Sequence, residues 1–256
     1  MSLESEDITG YPVCKAPLSE VVREVMGYFS DPDGRCRYFA CVNPHAVEIA
    51  AKDRQFKESL LDADFLTPDG IGVVYASRIL GGTLKRRVTG MDVFLGVTSA
   101  MNEAGGGRCF FLGSTDETLR KISERMAVDY PRVKVVGTYS PPFKPEFSSQ
   151  DNRVMIEKIN ESRPDVVWVG LTAPKQEKWL FEHRGGLRAQ FAGPIGAAFD
   201  FYVGNIKRVP AFWGNLGLEW LPRLLQEPKR LWRRSVISAP RYFARTIKYR
   251  MSQRNK

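Results

Sequence analysis

Val166-Val167-Trp168-Val169 runs without a polar side chain into Gly170-Leu171-Thr172-Ala173-Pro174-Lys175-Gln176-Glu177, and this passage decides the fold. Four consecutive large apolar residues leave no face for water, which fits a strand covered on both sides, as in a parallel sheet between helices. The turn that follows opens a segment with apolar residues at helical spacing, so the unit reads as strand, loop, helix.

The same alternation extends in both directions. Tyr38-Phe39-Ala40-Cys41-Val42, Arg108-Cys109-Phe110-Phe111-Leu112, Val133-Lys134-Val135-Val136 and Gln190-Phe191-Ala192 are further strand-length apolar runs, and residues 117–126 and 152–160 carry helical spacing between them. An α/β fold follows: a Rossmann-like parallel sheet flanked by helices. Asp31-Pro32-Asp33-Gly34 reads as a turn separating the first helix from the first buried strand. It resembles a D-x-D metal pair only superficially, because no buried strand precedes it to hold two carboxylates on an ion.

The chain has 256 residues, 43% of them hydrophobic, which suffices for one large domain with an appendage. Residues 1–204 form the expected core. Residues 205–256 hold 13 Lys and Arg against only Glu219 and Glu227, a local net of +11 in a chain whose net is +9. Three of the five tryptophans, Trp213, Trp220 and Trp232, lie there with Phe212, Tyr242, Phe243 and Tyr249. Interleaved cations and aromatics suit a surface that meets phosphates beside an apolar phase, as a basic interfacial helix does. Arg223, Arg230, Arg234, Arg241 and Arg245 follow one another at 7, 4, 7 and 4 residues, along one side of a helix that Pro228 and Pro240 bend or break.

No run approaches the ~18 apolar residues of a membrane span, and the acidic start lacks a signal peptide's basic flank. A cytoplasmic protein, peripheral on the inner face of the membrane, is expected. Cys14, Cys36, Cys41 and Cys109 include no C-x-x-C pair, and His45 and His183 stand at no metal spacing, so reduced thiols and no metal site are expected.

In open α/β sheets ligands bind beyond the carboxyl ends of the strands. Asn43 follows the first buried strand; it offers a donor and an acceptor, or a helix cap. Thr67-Pro68-Asp69-Gly70 presents a carboxylate on a tight turn, a candidate general base or simply a capping Asp-Gly turn. Lys85-Arg86-Arg87-Val88-Thr89 brings cations to a helix entrance suited to a diphosphate, or forms a solvated charge run. Phe111-Leu112-Gly113-Ser114-Thr115 ends a strand in a turn able to offer backbone N–H groups to a phosphate, without the full G-x-G-x-x-G pattern. Gln176 adds an amide suited to sugar hydroxyls.

In this order the loops resemble the WecG/TagA/CpsF family of bacterial glycosyltransferases, glycosyltransferase family 26. The likeness rests on Thr67-Pro68-Asp69-Gly70, Arg87-Val88-Thr89-Gly90-Met91-Asp92, Phe111-Leu112-Gly113, residues 170–177 and Gly196-Ala197-Ala198-Phe199-Asp200-Phe201. It continues in Arg208-Val209-Pro210, Leu218-Glu219-Trp220-Leu221, Arg223-Leu224 and Glu227-Pro228-Lys229-Arg230-Leu231.

The resemblance implies an inverting, metal-independent transfer of an N-acetylmannosamine-type or related hexose. The donor is a UDP-sugar and the acceptor a polyprenyl-diphosphate-linked sugar, in cell-surface polysaccharide or teichoic acid synthesis. It implies no cofactor, an anionic membrane surface as partner, no nucleic acid, and self-association. By motif match Asp69 is the base; Asn43, Arg87 and Gln176 line the sugar pocket; Gly113, Ser114 and Asp200 hold the nucleotide. Arg223, Arg230 and Arg233 meet the acceptor diphosphate, while Arg241, Arg245, Lys248 and Arg250 hold the membrane. Many relatives carry a threonine two residues before the Asn43 position, where this chain has Cys41, a weaker donor. Two rivals share these features: a nucleotide-sugar or phosphate-ester hydrolase on the same core, and a nucleic-acid-binding protein using the basic tail.

Overall fold

The computed structural model describes residues 3–31, 34–206 and 232–254, with the backbone alone at 233–235 and 254. Pro32 and Asp33 of the expected turn, and the tail motifs within 207–231, lie outside the described residues.

Eight strands form one sheet: β1 (Ser5–Ile8), β2 (Tyr11–Cys14), β3 (Arg37–Val42), β4 (Phe65–Pro68), β5 (Gly107–Gly113), β6 (Val133–Tyr139), β7 (Val166–Gly170) and β8 (Phe191–Pro194). Their order is β1-β2-β4-β3-β8-β7-β5-β6, and every pairing is parallel except β1 with β2. The expected parallel sheet flanked by helices thus carries one antiparallel strand at its edge. Thr9 and Gly10 both take positive φ, 57° and 88°, the two-residue geometry that turns a hairpin back on itself.

Side chains alternate across the sheet and feed opposite cores. Phe39, Phe65, Phe111, Trp168 and Phe191 face α1 (Leu18–Tyr28), α5 (Gly90–Glu103), α6 (Asp116–Asp129) and α9 (Ala198–Tyr202). Phe39 lies stacked between Phe65 and Phe191 at ring-centroid separations of 5.6 and 5.9 Å, while Trp168 meets the edge of Phe94 at 5.1 Å. On the other face, Ala40, Val42 and Leu66 pack under α2 (Pro44–Ala50), α3 (Arg54–Leu61) and α4 (Ile71–Leu80). Phe110, Val167 and Val169 pack under α7 (Ser149–Ser162) and α8 (Lys175–His183). Val166 through Val169 are wholly buried, as a strand covered on both sides requires.

The described end of the tail packs on this core. A π-helical turn, Arg233–Ser238, leads into α10 (Ala239–Arg254), which lies against α2 and α4. Pro240 is the second residue of α10, directly after the π-helical turn, so its missing N–H falls where the helix changes its hydrogen-bond pattern. Tyr242 is fully buried among α2 and α4 side chains, so this tail aromatic belongs to the core and is not a lipid contact. Arg245 Nε pairs with Glu48 Oε1 at 3.1 Å, His45 Nδ1 bonds Ser238 Oγ at 2.9 Å, and the Arg250 guanidinium donates to the Ile79 carbonyl. Among the described residues, no helix is long and apolar enough to cross a membrane.

Candidate active site

The register of β3 and β4 pairs Cys41 with Thr67 and Val42 with Pro68, so the next residues, Asn43 and Asp69, leave the sheet side by side. Asp69 N–H donates to the Val42 carbonyl at 2.8 Å, continuing the ladder one step beyond the strands. The helices that follow also converge here. A Cβ on Gly72 would lie 2.6 Å from Pro44, so only a glycine lets α4 approach α2 this closely.

Asn43 uses both ends of its amide. Its Oδ1 caps α2 by accepting from Ala46 N–H at 2.9 Å, and its Nδ2 donates to Asp69 Oδ2 at 3.3 Å. The capping and the hydrogen-bonding readings of Asn43 therefore hold together. Asp69 does not cap the helix after it: Gly70 is the N-cap of α4, at φ +100°, without a side-chain bond. Asp69 is half-buried, with one oxygen steered by Asn43.

Arg87 reaches the same place through the backbone. Val88 N–H donates to the Pro68 carbonyl at 2.9 Å, laying the Arg87 segment along the turn that carries Asp69. Thr89 and Asp92 then close a capping box on α5. Lys85 and Arg86 are exposed, whereas Arg87 is half-buried. Beneath them Cys41 Sγ contacts Thr67 Oγ1 at 3.3 Å. Burial first, and then the Asp69 charge, hold the Cys41 thiol well above its usual range; Glu177 pushes it the same way. Cys41 therefore stays a neutral thiol beside the candidate base.

Gln176 stands across the sheet ends, in the first turn of α8, and is 4% exposed. Its amide flanks Gly196 in the turn after β8, 3.6 Å from where a Cβ would stand. The neighbouring Ile195 lies 3.5 Å from the same point on Gly90, as does Cys41 Sγ, so the β8 turn links the Gln176 and Cys41 sides. Gln176 Nε2 donates to Glu177 Oε1 at 2.9 Å. Burial pushes the Glu177 carboxyl up to about 7, against the partial relief of that bond. Lys175 points elsewhere: its Nζ donates to the Lys144 carbonyl at 2.7 Å and lies 4.6 Å from the Phe147 ring centre.

Gly113 and Ser114 form a strained turn with φ of +112° and +60°. A Cβ on Gly113 would lie 2.5 Å from the Gly170 carbonyl oxygen, so glycine is what lets β5 close on β7 here. Ser114 N–H donates to that oxygen at 3.3 Å, and Ser140 Oγ donates to the Ser114 carbonyl at 2.7 Å. Asp200, on α9, accepts from Asn205 Nδ2 at 3.1 Å, and the same nitrogen reaches Thr118 Oγ1 at 3.2 Å on the first turn of α6. That shared amide sets Asp200 beside the helix that Gly113 and Ser114 introduce.

The structure thus joins Asn43 directly to Asp69, lays Arg87 alongside them, and gathers Gln176, Gly113, Ser114 and Asp200 on neighbouring strand ends. Arg223 and Arg230 lie outside the described residues; Arg233 opens the π-helical turn, its side chain likewise outside. Glu177 was quoted in the sequence motif without a role. Its signal was faint, because a carboxylate in a first helical turn ordinarily faces water and favours the helix dipole.

A model of the glycosyl transferase WecG/TagA/CpsF family matches residues 6–256. The chain is 35% identical over 214 residues to the N-acetylglucosaminyldiphosphoundecaprenol N-acetyl-beta-D-mannosaminyltransferase of Bacillus spizizenii, covering 83% of this chain and 79% of that one. A protein of the same name from Bacillus subtilis is 30% identical over 246 residues, 96% of this chain and 92% of that one. Another from Staphylococcus aureus is 24% identical over 234 residues, 90% and 88% of the two chains. With the family model spanning residues 6–256 and relatives at 35% and 30% identity over most of both chains, the chain is a glycosyltransferase and belongs to the WecG/TagA/CpsF family.

Proposed function

We propose that this glycosyltransferase moves N-acetylmannosamine from its UDP-sugar to the N-acetylglucosamine of a polyprenyl-diphosphate-linked acceptor, at the inner face of the membrane. The names of the relatives support the acceptor and the sugar transferred. The observation that carries the chemistry is the Asn43–Asp69 contact at the open strand ends.

Asp69 takes the proton of an acceptor hydroxyl as that oxygen attacks the anomeric carbon. The bond from that carbon to the UDP oxygen breaks in the same displacement, so the stereochemistry inverts and UDP departs with the electron pair. Asn43 donates to one Asp69 oxygen and so fixes how the carboxylate is presented at the strand ends. A leaving diphosphate needs charge stabilisation and no proton, and guanidinium groups supply it by bidentate pairing. Arg87 takes this part from the core; Arg223, Arg230 and Arg233 take it from the tail at the acceptor diphosphate. Gln176 contacts sugar, while Gly113, Ser114 and Asp200 hold the nucleotide.

Residues 205–256 act as the appendage to the 1–204 core and meet the anionic membrane. Trp232, Val236, Ile247 and Met251 are large apolar side chains left exposed there, beside the exposed Arg241 and Lys248. Such a mixed surface suits a lipid interface.

The test is UDP release from a panel of UDP-sugars, with and without a short-chain polyprenyl-diphosphate-N-acetylglucosamine. Release that needs both UDP-N-acetylmannosamine and the acceptor is expected. Equal release without acceptor would identify a hydrolase and overturn the proposal.

A further inference from the structure

Two polar atoms at the start of α8 are buried and find no hydrogen-bond partner among the described residues: Gln176 Oε1 and Glu177 Oε2. Their side chains are 4% and 3% exposed and are joined by the 2.9 Å bond from Gln176 Nε2 to Glu177 Oε1. Leaving an acceptor buried and unpaired is costly, so an unpaired amide oxygen at the strand ends points to a donor that arrives with the ligand.

The direction of the pair follows from chemistry. A carboxylate can only accept, whereas an amide has one donating and one accepting end. When Glu177 is ionised, the NH2 of Gln176 must face it, and the carbonyl oxygen must face the other way. The amide lies along the Gly196 turn, both of its polar atoms 3.6 Å from where a Cβ would stand, and that turn connects through Ile195 and Gly90 to Cys41 and the Asp69 strand ends.

We propose that Glu177 is a positioning residue: by accepting from the Gln176 amide it turns the Gln176 carbonyl oxygen toward the sugar, making Gln176 an obligate hydrogen-bond acceptor. The ligand group it takes is a sugar hydroxyl or an N-acetyl N–H. This inference rests on the reading of Gln176 as a sugar-pocket residue.

Protonation of Glu177 releases the constraint, because a carboxylic acid can donate to the amide oxygen and hold Gln176 the other way round. Among the described residues, Gln176 on its own helix hydrogen-bonds Glu177, and Tyr38 and Cys41 from β3 feel its charge, which opposes their ionisation. Burial keeps its proton on to about pH 7, so the orienting form gains population as pH rises through that value. Sugar recognition should strengthen in step.

The experiment is a double-mutant cycle on the full chain, assayed with UDP-N-acetylmannosamine and the short-chain acceptor, with melting temperatures measured throughout. Glu177→Leu and Gln176→Ala are each expected to lower kcat/KM about tenfold, and the double variant to fall no further than Gln176→Ala alone. Additive losses, or wild-type kcat/KM in Glu177→Leu when Gln176→Ala is impaired, would overturn the proposal. Wild-type activity in Gln176→Ala would instead remove Gln176 from the pocket, and this inference with it. Should Glu177→Leu fail to fold, Glu177→Gln carries the test: the rise of wild-type kcat/KM through about pH 7 should vanish in that variant. Its persistence would sink the idea.

Discussion

Asn43 holds Asp69 through one end of its amide while the other end caps α2, at 3.3 Å and 2.9 Å respectively. The residue that starts the helix also aims the candidate base. Packing of α2 on the sheet is thereby tied to the geometry of the reacting carboxylate, and the two roles separate by substitution.

Asp69→Asn removes the base while the side chain keeps its size and can still accept from Asn43. Transfer should fall by about two to four orders of magnitude. The melting temperature should stay near that of the wild type, since no helix cap is lost. Activity within tenfold of wild type would remove Asp69 from the base role.

Asn43→Asp is predicted to keep the cap, because aspartate caps helices about as well as asparagine. It sets a second carboxylate against Asp69, and like charges at that distance raise the pKa of the pair. The acid limb of the pH–rate profile should therefore move to higher pH, with the cap retained and the repulsion between the two carboxylates costing stability only above that limb. Asn43→Ala, by contrast, should lose about 1 kcal/mol of stability with the cap. An unshifted acid limb in Asn43→Asp would show that the Asn43–Asp69 contact has no part in proton transfer.

Glu177 also predicts how stability depends on pH. Below about pH 4.5 the carboxyl is protonated in both folded and unfolded chains and contributes nothing. Between about 4.5 and 7 the unfolded chain releases the proton while the buried carboxyl retains it, so stability falls as pH rises. Above 7 the full penalty is present, about 3 kcal/mol for a shift of that size. Glu177→Gln should accordingly melt higher than wild type by a margin that is small at pH 5 and largest at pH 8. A margin independent of pH would contradict the buried titration.

The strands at 107–113 and 166–170 were legible because burial on both faces leaves an unbroken apolar run. The hairpin of β1 and β2 was not, since Ser5–Ile8 alternates exposed polar residues with one buried isoleucine and looks like an acidic terminus. The strand-end loops were legible as a set, because a parallel sheet sends every such loop to one edge. Their pairwise contacts were not: the bond from Asn43 to Asp69 depends on register between strands 26 residues apart in sequence. Glu177 escaped notice because sequence shows a charge and conceals its burial.

Tyr242 teaches the same lesson in the tail, where interleaved cations and aromatics do not reveal which aromatic side chain is buried, and its burial yields the last prediction. The inward side of α10 carries Tyr242 and Thr246, both fully buried, while Ile247 and Met251 are 51% and 63% exposed on the outward side. Tyr242→Ala should destabilise the protein by about 3 kcal/mol through the cavity it leaves. Ile247→Glu with Met251→Glu should change the melting temperature little, because neither residue packs in the core, yet weaken sedimentation with vesicles containing anionic lipid. Soluble short-chain acceptor should still be used at the wild-type rate by that double variant. If vesicle binding survived the two glutamates unchanged, the membrane contact would lie elsewhere on the chain and α10 would serve only to brace α2 and α4.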